Sequence, residues 1–143
     1  MAYNYNNNIL PAEKTIAVLS YLSFGFVGFI WIVLGAFLKQ NLKQFLKYHI
    51  YQSIFLSILF FIVSNLIIMV LNLLGFIPFV NAIIGLFVFY LSVSLFSIGS
   101  VYFSIIQLAI LSFMIYLSIG VIKGKYTFVP WVSNIIKYNI GRG

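Results

Sequence analysis

Long runs of uncharged, mostly apolar residues alternate with short polar segments along this chain. Residues 15–38 and 50–74 contain no charged side chain, and residues 79–122 form a third uncharged run. A helix rises about 1.5 Å per residue, and the hydrocarbon core of a bilayer is about 30 Å thick. Each of the first two runs therefore predicts one membrane-spanning helix, and the third run is long enough for two.

Turn-forming residues divide these runs. The sequence GFIP at 75–78 predicts a turn after the second span, and SIGS at 97–100 is the expected break within the third run. Pro11 and Glu13 suit the first turn of the first helix, while Gly25 and Gly28 are the expected sites of a kink in it. The predicted spans are 15–38, 50–74, 79–97 and 101–122.

The pattern predicts an all-α integral membrane protein, a bundle of four transmembrane helices in one membrane domain over residues 11–143. Residues 1–10, which are rich in Asn and Tyr, are expected to form a flexible tail, and residues 123–143 a basic tail. Because the chain starts with a short tail and shows no transit peptide, it is expected to be bacterial or organelle-encoded, unless it begins at a mature terminus.

Composition supports this class. Of the 143 residues, 64% are hydrophobic and only 6% are charged, whereas a soluble domain has about a quarter of its residues charged. The absence of cysteine excludes disulfides and thiolate metal sites.

The placement of basic residues conflicts with four spans. One basic segment follows the first span, and the other is the C-terminal tail. Four spans would put these two segments on opposite sides of the membrane, whereas three spans would put them on one side, as the positive-inside tendency favours. Three spans therefore remain an alternative, and a re-entrant segment between 79 and 100 would satisfy both length and charge.

The basic segment after the first span is predicted to form a short amphipathic interfacial helix over residues 39–48. At 100° per residue, Lys39, Lys43 and Lys47 fall within one arc and are candidate contacts for anionic headgroups. The formal net charge of +7 adds a general attraction to a negative membrane surface. The alternative is a basic loop that only follows topology rules.

A polar group stands where this segment joins the second span. His49, the only histidine, points with the apolar side of the predicted helix, and Gln52 and Ser53 flank it. Because lipid offers no hydrogen-bond partners, these three residues are expected to form an inward polar cluster. The alternative role for His49 is a hydrogen bond across helices that only fastens the bundle.

Small polar side chains also form lines along two predicted helices. The candidate polar seam consists of Ser57, Ser64, Asn72, Ser104 and Gln107. Such lines commonly hold transmembrane helices together, and the alternative is a seam that lines a path for a translocating chain.

The inventory of reactive groups argues against an enzyme. Glu13 and His49 are the only acid and the only histidine, and one complete predicted span separates them. No cofactor, catalytic residue or metal site is therefore expected. The lysines are dispersed among membrane segments, so lipid headgroups explain them better than nucleic acid does.

Three blocks resemble the Tic-twenty family, the inner-envelope channel subunit of chloroplast protein import, and its bacterial relatives, which include MamF-like small membrane proteins. The blocks are AEKTIAVLSYLSF at 12–24, FLKYHIYQSIFLSI at 45–58 and IGVIKGKYTFVPWVSNI at 119–135. The family-typical positions are Phe45, His49, Gln52 and Ser53, and in the tail motif Gly124, Lys125 and Pro130. The acidic residues usual before the histidine block are replaced here by KQNLKQ at 39–44.

The resemblance implies a non-catalytic membrane protein of the bacterial inner membrane or the plastid inner envelope. The first hypothesis is a subunit of a protein-conducting or import-related complex, with other translocon subunits as partners. The second is a structural or organising membrane protein that forms homo-oligomers or recruits partners without conducting. A small-molecule permease is the third.

Overall fold

The computed structural model describes residues 9–98 and 101–140. The first eight residues of the predicted N-terminal tail, two residues of the expected break at 97–100 and the last three residues of the basic tail lie outside this range. In chain order the elements are α1 Pro11–Leu22, α2 Phe26–Phe37, α3 Gln44–Leu74, α4 Pro78–Ser92, β1 Ser94–Ile98, β2 Val101–Ser104, α5 Ile105–Ile122 and α6 Val132–Ile140. The predicted helical class is confirmed for the bulk of the chain.

The fold consists of two compact units, which are described separately. The first unit contains residues up to 58 and residues from 114 onward, and the second contains residues 59–113. Helices α3 and α5 each contribute residues to both units.

The first unit begins with two helices where one continuous span was predicted. Helix α1 ends because Gly25 N–H donates to Ser20 C=O at 2.7 Å and Phe24 N–H to Tyr21 C=O at 3.1 Å, the bond pair that reverses a chain after a helix. Phe24 and Gly25 have positive φ angles of 51° and 82°. The uncharged run 15–38 is therefore divided into α1 and α2 instead of one long helix.

Helices α1 and α2 form a helical hairpin against α3. Glu13, at the start of α1, is bonded to Lys43, and Tyr21, near its end, is bonded to Gln52. On α2 the order is reversed, since a Cβ on Gly25 would lie 2.9 Å from the Ile54 Cα and one on Gly28 2.9 Å from the Ile50 side chain. Helix α1 thus runs in the same direction as α3, and α2 runs back in the opposite direction.

The predicted interfacial helix over residues 39–48 is wrong as a separate element. Helix α2 ends with the same bond pair as α1, from Gln40 N–H to Gly35 C=O at 3.0 Å and from Lys39 N–H to Ala36 C=O at 3.3 Å. Lys39 has φ 51°, and the next four residues are not helical. Residues 44–48 are instead the first five residues of α3, because this chain reversal interrupts the helical repeat on which the predicted face depended.

The remaining part of the first unit is the end of α5, a loop and α6. Helix α5 ends at Ile122, and the chain reverses at Gly124, whose φ is 69°, with Lys125 N–H donating to Gly120 C=O at 3.0 Å. Lys14 Nζ of α1 donates to the Ile122 carbonyl at 3.1 Å, near this end. The buried apolar residues of this unit include Ala17, Tyr21, Ile50, Leu56, Met114, Leu117 and Val121.

The second unit differs from the predicted spans 79–97 and 101–122. Helix α4 stops at Ser92, and a β-hairpin follows in which Ser97 pairs with Tyr102 and Ile98 with Val101. The β-branched and aromatic residues on both sides of the expected break favour strands over continued helix. The helix of 15 residues reaches about 23 Å, which is shorter than the hydrocarbon core of a bilayer.

Within residues 9–98 and 101–140, two helices are long and apolar enough to span a membrane: α3, with 31 residues, and α5, with 18. Helices α2 and α4 are apolar but shorter. The apolar side chains in the C-terminal half of α3 lie largely on the surface, with Phe61 71% and Met69 57% exposed. This half of α3 therefore does not resemble the core helix of a soluble protein.

Candidate functional site

A group of polar side chains fills the centre of the first unit, where α1, the start of α3 and the loop before α6 meet. This junction cluster consists of Tyr21, Tyr48, His49, Gln52, Tyr126, Thr127 and Ser133. Tyr21, His49, Gln52 and Ser133 have no exposed surface. The cluster is the largest concentration of buried polar groups among the described residues.

Helical spacing places three members together on α3. Tyr48 and Gln52 are four residues apart, and His49 and Gln52 are three apart, so their side chains share one side of the first two turns. Tyr21 enters from α1. The other members come from the loop after α5 and from the first turn of α6.

The hydrogen bonds of Gln52 fix the direction of the others. Its amide nitrogen donates to the Thr127 carbonyl at 3.1 Å, so its Oε1 accepts from the Tyr21 hydroxyl at 2.6 Å. A tyrosine hydroxyl has one proton, so the Tyr21 oxygen accepts from His49 Nδ1 at 3.0 Å. His49 thus takes the tautomer with its proton on Nδ1.

A second set of bonds fastens the loop before α6. The Tyr48 hydroxyl donates to the Thr127 carbonyl at 2.9 Å and lies 2.8 Å from Ser133 Oγ. Ser133 Oγ also accepts from the Val129 N–H at 2.7 Å. The loop is therefore held to α3 through its own backbone as well as through side chains.

Aromatic rings enclose the imidazole. The ring centroid of His49 lies 4.6 Å from that of Phe45 and 5.1 Å from that of Tyr48, both edge to face, and Tyr126 stacks on it at 5.6 Å. Among the described buried side chains, His49 Nε2 and Thr127 Oγ1 are the polar atoms without a hydrogen bond.

The chemistry available to the junction cluster is hydrogen bonding. Glu13, the only acidic residue, is 2.9 Å from Lys43 and accepts from the Leu10 N–H, so it is engaged at the start of α1. The described residues contain no group of three or more side chains suited to a metal ion. The arrangement can position helices and loops, because the bonds that Tyr21, Tyr48 and Gln52 make in it join segments at least 28 residues apart in sequence.

The predicted polar residues of α3 have different surroundings. His49 and Gln52 belong to the junction cluster, whereas Ser53 is buried and donates to the Ile50 carbonyl of its own helix at 2.8 Å. Sequence reasoning missed Tyr21, Tyr48, Tyr126, Thr127 and Ser133. The spacing of Tyr48 from Gln52 is a local indication, but the other four residues join the cluster only through tertiary contacts.

The three blocks on which the family resemblance rests meet at the junction cluster. Block 12–24 contributes Tyr21, block 45–58 contributes three residues of α3, and block 119–135 contributes the loop and Ser133. Within the tail motif, Gly124 has a positive φ two residues after the end of α5, Lys125 follows it, and Pro130 lies exposed in the loop.

The three lysines after α2 lie in different elements. Lys39 follows the end of α2, Lys43 pairs with Glu13 just before α3, and Lys47 is the fourth residue of α3. They lie near one end of the first unit but do not share one helical face.

The candidate seam residues divide into two groups. Ser57 donates to the Ser53 carbonyl at 2.9 Å, while Ser64 and Asn72 are exposed on α3. Ser104 and Gln107 bond each other's backbone at the start of α5, since the Ser104 N–H donates to Gln107 Oε1 at 2.9 Å and the Gln107 N–H to Ser104 Oγ at 3.4 Å. This is a capping box, a pattern that the sequence SIIQ already contains.

No protein-family model, no curated protein and no solved structure matches this chain.

Proposed function

We propose that this chain is a non-catalytic integral membrane protein that acts as a subunit of a larger membrane complex. The finer assignment follows the family resemblance: a subunit of a protein-import or translocation channel, in a bacterial inner membrane or a plastid inner envelope. Its partners in this proposal are other translocon subunits or further copies of itself. Helices α3 and α5 cross the bilayer, and the junction cluster holds the first unit together.

The observation that supports the proposal is the polar side chains exposed on the apolar half of α3. Ser64 and Asn72 are eight residues apart and fall within 80° of each other around the helix. Their neighbours on the helix are exposed apolar side chains such as Ile67 and Ile68. Hydroxyl and amide groups that face lipid lack partners, so such groups are characteristic of contacts between membrane helices.

The test is affinity purification in mild detergent, with identification of the chains that co-purify. A Ser64→Leu/Asn72→Leu variant is expected to lose its partner chains, with affinity reduced about tenfold or more, since each hydrogen bond between membrane helices contributes about 0.6–2 kcal/mol. Leu66→Ala, on the opposite side of α3, is the control and should retain them. Equal partner lists for all three proteins would contradict the proposal.

A second candidate is an organising protein that assembles without conducting. The junction cluster favours it, because its bonds fasten three segments and none of its helix-joining side chains is exposed. Under this candidate the purified protein gives no conductance in planar bilayers. His49→Ala then lowers stability without changing any permeability. If the protein is instead a translocation subunit, substitution of the seam residues alters transport.

A further inference from the structure

The hairpin formed by α1 and α2 has an open end, where α1 starts and α2 ends, and a closed end, where the turn lies. The start of α1 and the end of α2 lie at the same end of the first unit. Glu13 at the start of α1 is bonded to Lys43, which lies one residue before α3. Near the end of α2, a Cβ on Gly35 would lie 3.5 Å from Leu42, just before α3 begins. The run 15–38 thus begins and ends beside the same residues, those just before α3.

The closed end of the hairpin reaches only part of the way along α3. Gly25, at the turn, contacts Ile54, which is ten residues after the start of α3. Ten helical residues correspond to about 15 Å, or half of the hydrocarbon thickness. A straight helix over residues 15–38 would instead be about 36 Å long.

Basic residues gather at the open end of the hairpin. Lys14 donates to the last carbonyl of α5, so the end of α5 lies beside the start of α1. Six of the eight basic residues adjoin these element ends: Lys14, Lys39, Lys43, Lys47, Lys123 and Lys125. Glu13 is the single negative charge among them, so this end of the first unit is strongly positive.

We infer that α1 and α2 form a re-entrant hairpin, which enters the bilayer from the lysine-rich side and turns back near its middle, so that the lysines together bind one anionic lipid leaflet. The inference rests on the membrane location in the proposed function. Both basic segments then lie on one side, with α3 and α5 as the crossing helices. The conflict between span number and charge placement disappears, because the first uncharged run does not cross.

The positive charge of the lysines and the apolar surface beside them indicate that the ligand is an anionic lipid leaflet. Phe29 and Phe37 of α2 are 58% and 82% exposed, so the hairpin presents large apolar side chains both near its turn and beside the lysines at its open end. Apolar residues at acyl-chain depth with lysines at headgroup depth are the combination that anionic leaflets bind.

The test is the sidedness of single cysteines, for which a chain without native cysteine is well suited. Ala12→Cys, Gln40→Cys and Asn134→Cys are exposed positions in or beside α1, α2 and α6, and Phe76→Cys follows α3. The variants are labelled with a membrane-impermeant maleimide in inside-out and right-side-out vesicles. We expect the first three to react in the same vesicles and Phe76→Cys to react only in the opposite ones.

Two other outcomes would each refute a different part of the inference. Labelling of Ala12→Cys and Gln40→Cys from opposite sides would refute the hairpin and leave the proposed function intact. Release of the protein by alkaline carbonate, with all positions labelled in both vesicle types, would refute the membrane location and the hairpin with it. Gel filtration of each variant in detergent shows whether it is folded before labelling.

Discussion

The Tyr21 hydroxyl satisfies two side chains that belong to another helix. It donates to Gln52 and accepts from His49, and the whole residue is buried. A buried polar group that loses its partner retains its desolvation cost. Tyr21 therefore stabilises the fold mainly because it gives His49 Nδ1 and Gln52 Oε1 a hydrogen-bond partner.

Tyr21→Phe is expected to lower the free energy of unfolding by about 1–3 kcal/mol, because Gln52 Oε1 and His49 Nδ1 each lose a partner. The measurement is the thermal unfolding midpoint of the purified protein in detergent. Tyr116→Phe, at a position that is 66% exposed, is the matched control and should leave the midpoint unchanged. Identical midpoints for the two variants would contradict the assigned role.

The sequence predicts part of the junction cluster. The helical repeat places His49 with the apolar side of α3, and the structure buries both His49 and Gln52 completely. Tyr21 is 28 residues from His49, and Ser133 is 85 residues from Tyr48, so no local pattern connects them. Their positions depend on how α1 and the loop before α6 pack on α3.

Three helices end with the same chain reversal, and this repeated element decides the architecture of the first unit. The residue with positive φ is Phe24 after α1, Lys39 after α2 and Gly124 after α5. Glycine is the residue that sequence rules expect there, so the end of α5 is recognisable, whereas Phe24 and Lys39 give no such indication. A prediction from hydropathy alone therefore treats α1 and α2 as one helix.

Gly25→Ala tests the turn between α1 and α2. The left-handed backbone costs a non-glycine residue about 1–2 kcal/mol, and the new Cβ would lie 2.9 Å from the Ile54 backbone, so we expect at least this loss of stability. Gly85→Ala, with no atom within 4 Å of the new Cβ, is the control and should be neutral or stabilising by about 0.5–1 kcal/mol. Equal unfolding midpoints for the two alanine variants would argue against a close contact at Gly25.

Gln107 tests the capping box of α5. Gln107→Leu removes the acceptor of the Ser104 N–H and should cost about 0.5–2 kcal/mol, while Gln107→Glu keeps an acceptor and should cost less. Hydrogen exchange of the first turn of α5 measures the difference. If both variants exchange at the wild-type rate, the bond from the Ser104 N–H to Gln107 does not stabilise the start of α5.

At the scale of the whole molecule, apolar runs and charge placement carry separate information. The runs identify α3 and α5, which are long enough to cross a bilayer. They do not reveal that 15–38 folds back, because a turn at Ser23 to Gly25 contains no charge. The bond between Glu13 and Lys43 supplies the missing constraint, and it joins residues that sequence rules treat as opposite ends of one span.

Lysines beside the membrane surface should select anionic lipids. A Lys39→Gln/Lys47→Gln variant is expected to retain less phosphatidylglycerol than the wild type, by up to about fivefold per lysine, since each contributes about 1 kcal/mol near an anionic surface. Mass spectrometry of lipids that co-purify from mixed phosphatidylglycerol and phosphatidylcholine vesicles gives this ratio. The control Gln40→Asn/Gln44→Asn keeps the charge and should retain the same ratio of phosphatidylglycerol to phosphatidylcholine as the wild type. A lower ratio in this control would show that lysine charge is not the cause of the selection.

The dependence of the α1–α2 turn on Ile54 has a consequence for reporter fusions. A fusion made after residue 40 lacks α3 altogether, so nothing remains against which Gly25 and Gly28 pack. The 24 uncharged residues from Thr15 to Leu38 are then free to straighten into one helix and cross. If the intact chain forms the re-entrant hairpin proposed above, a reporter at that point would be found on the opposite side of the membrane from residue 40 of the intact chain. A topology map built from truncations would then be inverted from its first segment.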